Sequence, residues 1–318
     1  MQLRAMEHAD ISEVNRVNRD AFRALLKREK HVAFVAALLR PNALWDMYRT
    51  AGQDRCFVAT AGKRIVGYAI THLWGTVGWF GPLGVAPDWQ RQGVGKDLAL
   101  MSVDSLERNG ATTIGLETMP DSVSNLGFYS RLGFQSNAMS FVLAKSVLNS
   151  EYELAEPLMY QTDFSSTHKE AIIDECGELT GKILPGLDYS GEIHQTDKYK
   201  FGTTLFFRHD DKLIGFAVCH SGKYFRSERA ETLRVKIAVA HPAAGRNQVD
   251  RLIAGIEAFA RQSGKYRVHM NINARHDSWY RLLLERGYRL VATGLRMTWD
   301  GYEEEISSDA PDFNRWVG

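Results

Sequence analysis

The chain has 318 residues, and its 39 lysines and arginines nearly balance 38 aspartates and glutamates. This balance excludes the strong basic excess that draws a protein onto nucleic acid or an anionic membrane. The three cysteines form no C-x-x-C pair, which argues against a zinc site or a disulfide framework.

The N-terminal segment lacks the apolar core of a signal peptide, and no run of about 18 apolar residues occurs. We therefore expect a cytoplasmic protein with no nucleic-acid partner, no membrane partner and no bound metal. A chain of this length is long enough to form two domains.

The first predicted elements are two helices and a β-hairpin. Apolar residues at near-helical spacing follow Asp10, namely Ile11, Val14, Val17 and Phe22. A second helix is expected over about 32–51. The segments "RCFVATAG" and "RIVGYAITHLW" predict paired strands joined by a turn at 61–63.

The third predicted strand, "TVGWFGPLGVAP", is irregular. Pro82 has no N–H for a ladder, and Gly81 and Gly84 flank it. Such a group indicates a bulge or a splayed strand, and an ordinary bulge at a sheet edge is the alternative interpretation.

The segment "WQRQGVGKDLALM" places Gly93 and Gly95 at the start of the next predicted helix, which stops at Asn109-Gly110. Amides at a helix start lack internal partners, and bare glycines let a diphosphate approach them. A P-loop is excluded because Asp97 follows Gly95-Lys96. A dinucleotide fingerprint is excluded because Leu98 stands where it requires glycine or alanine.

A further strand, "TTIGLETMP", and a short helix, "NLGFYSRLG" closed by Gly133, complete this half of the chain. Three blocks then recur in the same order in the second half. "KRIVGYAITH" matches "DKLIGFAVCH", "LGVAPDWQRQ" matches "IAVAHPAAGRN", and "SRLGF" matches "LERGY". The order indicates two copies of one α/β unit, with "SVLNSEYELAEPL" as the linker.

The first half, roughly residues 1–147, resembles the GNAT superfamily of acyl-CoA-dependent N-acyltransferases. The resemblance rests on "GPLGVAP", on the Q-x-x-G-x-G motif of Gln90, Gly93 and Gly95, and on "SNLGFYSRLGF", in that order. The second half resembles an eroded copy. The fold class implied is α/β (α+β), with two tandem units whose mixed, mostly antiparallel sheets have a splayed central strand. The expected domains are 1–147, which binds acetyl-CoA and catalyses, and 155–318, which is degenerate and forms an acceptor pocket or has a structural role.

The resemblance implies that pantetheine pairs with the backbone of the splayed strand and that the pyrophosphate sits on the glycine loop. An amide near Leu83 would stabilise the oxyanion. The cofactor-binding residues so assigned are Leu83, Gly84, Val85, Gln90, Arg91, Gln92, Gly93, Val94, Gly95, Lys96 and Asn125. Asn125 either holds the pantetheine or caps the short helix.

The resemblance also implies that Tyr129 protonates the departing thiolate, because a phenol with a pKa near 10 is protonated at neutral pH. The alternative is a tyrosine that only fills the helix–sheet contact. The splayed strand lacks the glutamate that many members use as general base. Glu117 on the next strand is the assigned substitute, and His72 is another. Because His72 has a counterpart, His220, in the eroded copy, a structural role is favoured for it.

The second copy has lost the features that the resemblance uses. Gln248 and Asp250 stand at the positions of Gly93 and Gly95, and Leu283 stands at that of Tyr129. The unmatched segment 183–193 either offers Asp188 and Glu192 to a cationic amine or is a polar surface loop.

The expected function is acetyl transfer from acetyl-CoA to a primary amine of a small molecule or peptide, by direct attack in a ternary complex. The alternative is a non-catalytic acyl-CoA sensor or regulatory protein. The sequence does not decide between a monomer and a homodimer.

Overall fold

The computed structural model describes residues 1–28, 41–52, 55–148, 159–160, 166–210, 212–221, 231–305, 309–314 and 316. The chain forms two compact units. The first comprises Met1–Asn137, Arg296–Glu304 and Trp316–Gly318, and the second comprises Ala138–Leu295 and Glu305–Arg315.

In its described residues, the first unit combines four α-helices with one sheet. Its helices are α1 (Ile11–Arg28), α2 (Asn42–Gly52), α3 (Val94–Arg108) and α4 (Val123–Leu132). Its strands are β1 (Gln2–Ala5), β2 (Phe57–Ala61), β3 (Arg64–Trp74), β4 (Val77–Val85) and β5 (Thr113–Thr118). They lie in the order β1-β2-β3-β4-β5. Only the β4–β5 contact in this series is parallel.

The second unit repeats this plan. Its helices are α5 (Ser166–Ile183), α6 (Ser190–Lys198), α7 (Arg246–Gln262) and α8 (Asp277–Glu285). The remaining strands are β6 (Phe134–Ser146), β7 (Met159–Tyr160), β8 (Gly202–His209), β9 (Lys212–His220), β10 (Thr232–Ala240), β11 (Arg267–Asn273), β12 (Arg289–Trp299) and β13 (Asp312–Asn314). The sheet order in this unit is β6-β11-β10-β9-β8-β7, and β13 pairs with β10.

Amphipathic spacing explains how the helices pack. In α1 the buried residues Ile11, Val14 and Val17 recur every three positions and form one apolar stripe. In α7 the buried residues Val249 and Leu252 belong to a similar stripe, which packs on the second core. Helices of this kind are held mainly by burial of one face and not by intrinsic propensity.

The predicted fold is confirmed: the order β2-β3-β4-α3-β5-α4 in the first half recurs as β8-β9-β10-α7-β11-α8 in the second. The predicted helix over 32–51 is observed from Asn42, and residues 32–40 lie outside the described part of the chain. Most of the predicted linker, residues 149–158, lies outside it as well.

The two structural units differ from the predicted ranges at three places, one of which is Trp316–Gly318 in the first unit. Residues 138–146 of β6 belong to the second unit because β6 pairs with β11, from Ser140 opposite Asn273 to Ser146 opposite Arg267. Residues 296–304 belong to the first unit, where the amide of Ile114 donates to the carbonyl of Tyr302. Each unit therefore contains a segment from the other half of the sequence.

Candidate active site

In the first unit, β4 and β5 lie side by side at one end and separate at the other. Parallel pairing runs from Val77 opposite Thr113 to Trp79 opposite Gly115 and does not continue beyond these residues. β4 keeps its pairing with β3 over Leu83–Val85. Among the described residues of this unit, the other backbone edge of Leu83–Val85 carries no strand, so it is available to a ligand.

The predicted bulge is present on the β3 side of β4. The register between β3 and β4 shifts between Ala69 and Thr71, opposite Gly81 and Pro82. The bulge comes just after the pairing of β4 with β5 ends at Trp79, where the two strands separate. The buried His72 ring lies across the bulge, with its Nε2 atom 3.1 Å from the carbonyl oxygen of Gly81.

Gly84 has a packing role that the sequence did not reveal. A Cβ atom at this position would lie 2.6 Å from the ring of Tyr68 on the neighbouring strand. The hydroxyl of Tyr68 donates to Asn18 at 2.6 Å, which fixes the ring in place. Glycine is therefore required at position 84 by the protein itself, whatever the backbone of this strand binds.

The start of α3 has main-chain amides that take no part in the hydrogen bonds of the helix. Gly93 is the N-cap residue with a φ of 88°, and no side chain caps the helix. The first main-chain bond here runs from Asp97 N to Gly93 O at 3.0 Å, so the amides of Val94, Gly95 and Lys96 precede the helical ladder. A Cβ atom on Gly93 would meet nothing within 4 Å. The open space and the positive helix end suit a diphosphate.

The side chains of the loop divide into two groups. Gln90 donates to the carbonyl of Val85 at 3.1 Å, and Gln92 donates to that of Asp88 at 3.0 Å. These glutamine side chains thus shape the loop, which was not evident from the motif. Arg91, with a φ of 62°, and Lys96 are exposed on the loop and supply positive charge there.

Tyr129 lies on α4 in an aromatic environment. Its ring centroid is 4.9 Å from that of Phe128, 6.0 Å from Phe134 and 6.2 Å from Phe80. Burial among these rings raises the pKa of Tyr129 to about 12. The phenol therefore keeps its proton at neutral pH, as a general acid must.

Asn125 does not cap α4. The N-cap residue is Ser122, whose hydroxyl accepts from the amide of Asn125 at 3.4 Å. The capping alternative for Asn125 is thus wrong, and its side chain instead donates to Thr118 at 3.2 Å. Ser122 could have been found from the preference for serine immediately before a helix.

Glu117 lies on β5 two residues past Gly115, in the part of the strand that is not paired with β4. It is half-buried. Glu117 therefore lies on the strand that borders the gap between β4 and β5. The His72 ring, the other candidate base, instead contacts the carbonyl of Gly81 at the bulge.

The segment 183–193 in the second unit joins α5 to α6 and is not a polar surface loop. Its apolar residues Leu184, Leu187 and Tyr189 are buried. Asp188 accepts from the amide and the hydroxyl of Ser190 at 2.8 and 2.6 Å, so its carboxylate stabilises the start of α6.

The described ranges contain no group of three or more histidine, cysteine, aspartate or glutamate side chains arranged to hold a metal ion. Within the same ranges, no helix has both the length and the apolar character needed to cross a membrane.

Residues 19–134 match the model of the acetyltransferase (GNAT) family. A curated relative, the [ribosomal protein bS18]-alanine N-acetyltransferase of Escherichia coli strain K12, is 32% identical over 78 residues. That alignment covers 24% of this chain and 53% of the relative, so the chain spans about half the length of the curated relatives it matches.

Two solved structures share the fold across both units. A putative acetyltransferase from Pyrococcus horikoshii aligns with a TM-score of 0.69 at 16% identity, covering 100% of this chain and 94% of that one. A tandem GNAT protein from the clavulanic acid biosynthesis pathway aligns with a TM-score of 0.62 at 13% identity, covering 94% and 98%. Residues 19–134 are therefore similar in sequence to the GNAT acetyltransferases, and the chain shares the fold of these two solved structures.

Proposed function

We propose that this protein transfers the acetyl group of acetyl-CoA to a primary amine, and that the first unit holds both the cofactor and the chemistry. The observation that carries the proposal is the open edge of Leu83–Val85, which is followed in the chain by the uncapped start of α3. Tyr129 packs on Phe80 of the same strand, with 6.2 Å between the ring centroids. The acetyl thioester would supply the group transferred. The residues assigned to hold it are Leu83–Val85 and the loop 90–96, with Asn125 beside them.

The roles of the side chains follow from their chemistry. Glu117 would take a proton from the substrate ammonium, since only the neutral amine has a lone pair for attack. As the new C–N bond forms and the C–S bond breaks, Tyr129 would give its proton to the departing sulfur. The proton that the attacking nitrogen loses on becoming an amide would then restore the phenol. The raised pKa of Tyr129 keeps the phenol protonated until this step, and the return of the nitrogen's proton avoids leaving a phenolate. A main-chain amide near Leu83 would stabilise charge on the carbonyl oxygen.

The acceptor class is a peptide α-amine or a small-molecule amine. The curated relative is named for acting on the alanine of a ribosomal protein, which makes peptides that begin with alanine the first acceptors to test. Release of free CoA, detected with a thiol reagent across peptides and small amines, should require both acetyl-CoA and one of these amines.

A non-catalytic acyl-CoA sensor is the second candidate, because β4, Val77–Val85, contains no acidic residue. Tight binding of acetyl-CoA with no amine-dependent CoA release across the whole panel would favour the sensor and contradict the enzyme.

Substitution of Tyr129 tests the assigned acid. Tyr129→Phe should lower kcat by on the order of 10²-fold and leave the Kd for acetyl-CoA nearly unchanged. The exposed Tyr266 provides a matched control, since Tyr266→Phe should retain full turnover. Wild-type turnover by Tyr129→Phe would remove the phenol from the mechanism.

Substitution of Glu117 tests the assigned base. Glu117→Gln should remove or shift the acidic limb of the pH profile of kcat/KM, because the limb reports protonation of the base. An unchanged limb in Glu117→Gln would exclude this carboxylate as the group that titrates.

A further inference from the structure

The last residues of β12 lie in the first unit although they follow the second repeat in the sequence. Arg296 is buried there and donates to Glu304 at 2.8 Å. Its guanidinium group lies 4.6 Å from the ring centroid of Trp316 and 5.6 Å from that of Trp79. A planar cation held by a carboxylate and two indole faces has one well-defined position.

Trp79 connects this arginine to the site. It is the last residue of β4 that pairs with β5 before the two strands separate. A Cβ atom on Gly115, its partner on β5, would lie only 2.2 Å from the indole ring, so the ring rests directly on the β5 backbone. The indole is 1% exposed. Arg296 therefore packs against the residue at which the two strands begin to diverge.

Trp299 gives a second connection from the same strand end. Its ring centroid is 4.9 Å from that of Phe134. Phe134 is in turn 6.0 Å from Tyr129 and 5.5 Å from Phe80, which directly follows Trp79 in the chain. Trp299 thus packs on one of the rings that surround Tyr129. Arg296 packs on Trp79, whose side chain points to the opposite face of β4 from that of Phe80, so Arg296 reaches Phe80 through the backbone of the strand.

We infer that Arg296 and Trp299 are positioning residues for Tyr129, acting through Trp79–Phe80 and through Phe134. The inference rests on the proposed function for its catalytic consequence, but not for the structural coupling. The segment 296–304 thereby becomes part of the catalytic unit although it lies more than a hundred residues beyond the glycine loop.

The first test reads the environment of Tyr129 without turnover. 3-Fluorotyrosine is placed at position 129 of the full chain, and its ¹⁹F resonance is followed during a pH titration. Trp299→Leu and Arg296→Lys should each move the resonance and lower the titration midpoint by about one pH unit, as the ring becomes better solvated. Met297→Leu, a volume-conserving change on the same strand, should do neither.

The second test is a double-mutant cycle on activity. Trp299→Leu should lower kcat about 10-fold in the wild-type chain but less than about 2-fold in Tyr129→Phe, because a positioning residue has nothing left to position. The KM for acetyl-CoA should stay within about 2-fold. If Trp299→Leu does not fold, Trp299→Phe retains a ring and replaces it in both tests.

The outcomes separate the two proposals. A ¹⁹F signal and midpoint identical to the wild type in Arg296→Lys and in the Trp299 variant would overturn the positioning role, as would equal losses of kcat in the presence and absence of the Tyr129 hydroxyl. A shifted ¹⁹F signal in a protein without amine-dependent turnover would uphold the structural coupling and reject the proposed acetyltransferase function.

Discussion

The two repeats treat the start of the same helix in opposite ways. In the first unit, Gly93 caps α3 and no side chain covers the amides. In the second, Gly245 is the N-cap residue of α7 and so corresponds to Gly93 at the helix start, although the sequence match places Gln248 there. The side chain of Gln248 accepts from the amide of Gly245 at 3.0 Å. One helix start has no side-chain cap, whereas the other is capped by a side chain of the helix itself.

The same contrast continues between the helices. Asp250, which the sequence match aligns with Gly95, lies in the second turn of α7 and accepts from Arg286 at 2.7 Å. Arg286 also donates to the fully buried Glu257 at 2.9 Å, and Lys145 donates to Glu257 from β6 at 2.9 Å. α7 is thus joined to the end of α8 by paired charges.

Strand β13 completes the comparison. Phe313 pairs with Ala238 on β10, and the pairing extends from Asp312 opposite Val239 to Asn314 opposite Ile237. Ala238–Ala240 matches Leu83–Val85, because Ala240 lies opposite Gly215 as Val85 lies opposite Gly67. β13 pairs with Ala238 and Val239, and the amide of Ala240 donates to the carbonyl of Pro311 at 3.0 Å. The strand edge that is open in the first unit is therefore covered in the second by the chain's own β13.

The comparison predicts one acetyl-CoA per chain, bound to the first unit. Calorimetry should give a stoichiometry of one. At about 100 times Kd, acetyl-CoA should stabilise the first unit by about 2.7 kcal/mol. For a domain of this size that is a rise in Tm of about 5–10 °C. Two sites per chain would contradict the roles assigned to the two repeats.

Copying the second repeat into the first should give the largest effect. Gly95→Asp should abolish binding, because the position of Arg286 is occupied by Leu132 in the first unit and the new carboxylate would face the diphosphate without a cation. Gly95→Ala is the matched control: its Cβ would lie 3.5 Å from Phe128, an ordinary contact, so the fold should be kept. Full binding by Gly95→Asp, measured by calorimetry, would show that the diphosphate lies elsewhere.

Removing the ion pairs from the second repeat should destabilise it without creating a cofactor site. Arg286→Met leaves the buried carboxylate of Glu257 with Lys145 alone, and breaking a buried pair costs about 3 kcal/mol or more. We expect the Tm of the second unit to fall by about 6–12 °C. Calorimetry should still find one site, because β13 continues to cover the strand edge.

An exposed pair on α8 supplies the control for that experiment. Arg281 and Asp277 are 2.7 Å apart and both largely exposed, so Arg281→Ala should cost less than about 1 kcal/mol. Equal melting temperatures for Arg286→Met and Arg281→Ala would show that the buried ion pairs do not stabilise the second unit.

Much of this contrast could be predicted from the sequence because its causes are local. Glycine spacing, the strand carrying Pro82 and the stop at Gly133 are set by backbone chemistry within a few residues. Each predicted helix and strand is found, at least in part, among the described residues. The sequence could also have predicted that Phe128, which precedes Tyr129 on α4, lies beside it.

The long-range features were not predictable in this way. Three features depend on pairing between segments that are far apart in the sequence. They are the assignment of most of β6 to the second unit and of the end of β12 to the first, the pairing of β13 with β10, and the contact of Arg296 with Trp79. No periodicity or motif records such pairing. The sequence predicts that Asp250 is unfavourable for a diphosphate, but its partner Arg286 stands 36 positions further along and carries no signal of the contact.

A smaller difference between the repeats concerns a pair of matched histidines. His72 lies near the Gly81 carbonyl in the first unit, whereas His220 in the second lies 3.1 Å from the hydroxyl of Thr196. Burial lowers the pKa of His220 to about 4, helped by the nearby cations Lys236 and Arg234 and opposed by Glu192. The ring is therefore neutral in the folded protein over the whole range in which a free histidine titrates.

The sign of the resulting pH dependence follows directly. Because the pKa of His220 is lower in the folded than in the unfolded state, acidification favours the unfolded state, which binds the extra proton. The stability is complete above about pH 6.5 and is lost as the pH falls toward 4, by about 2 kcal/mol from this group at pH 5. Chemical denaturation at pH 7 and pH 5 should show this loss in the second unit of the wild type. His220→Gln should show a smaller loss, and a residual one should remain because burial also lowers the pKa of His269 to about 4. An equal loss in the wild type and in His220→Gln would mean that His220 is protonated without disturbing the folded second repeat.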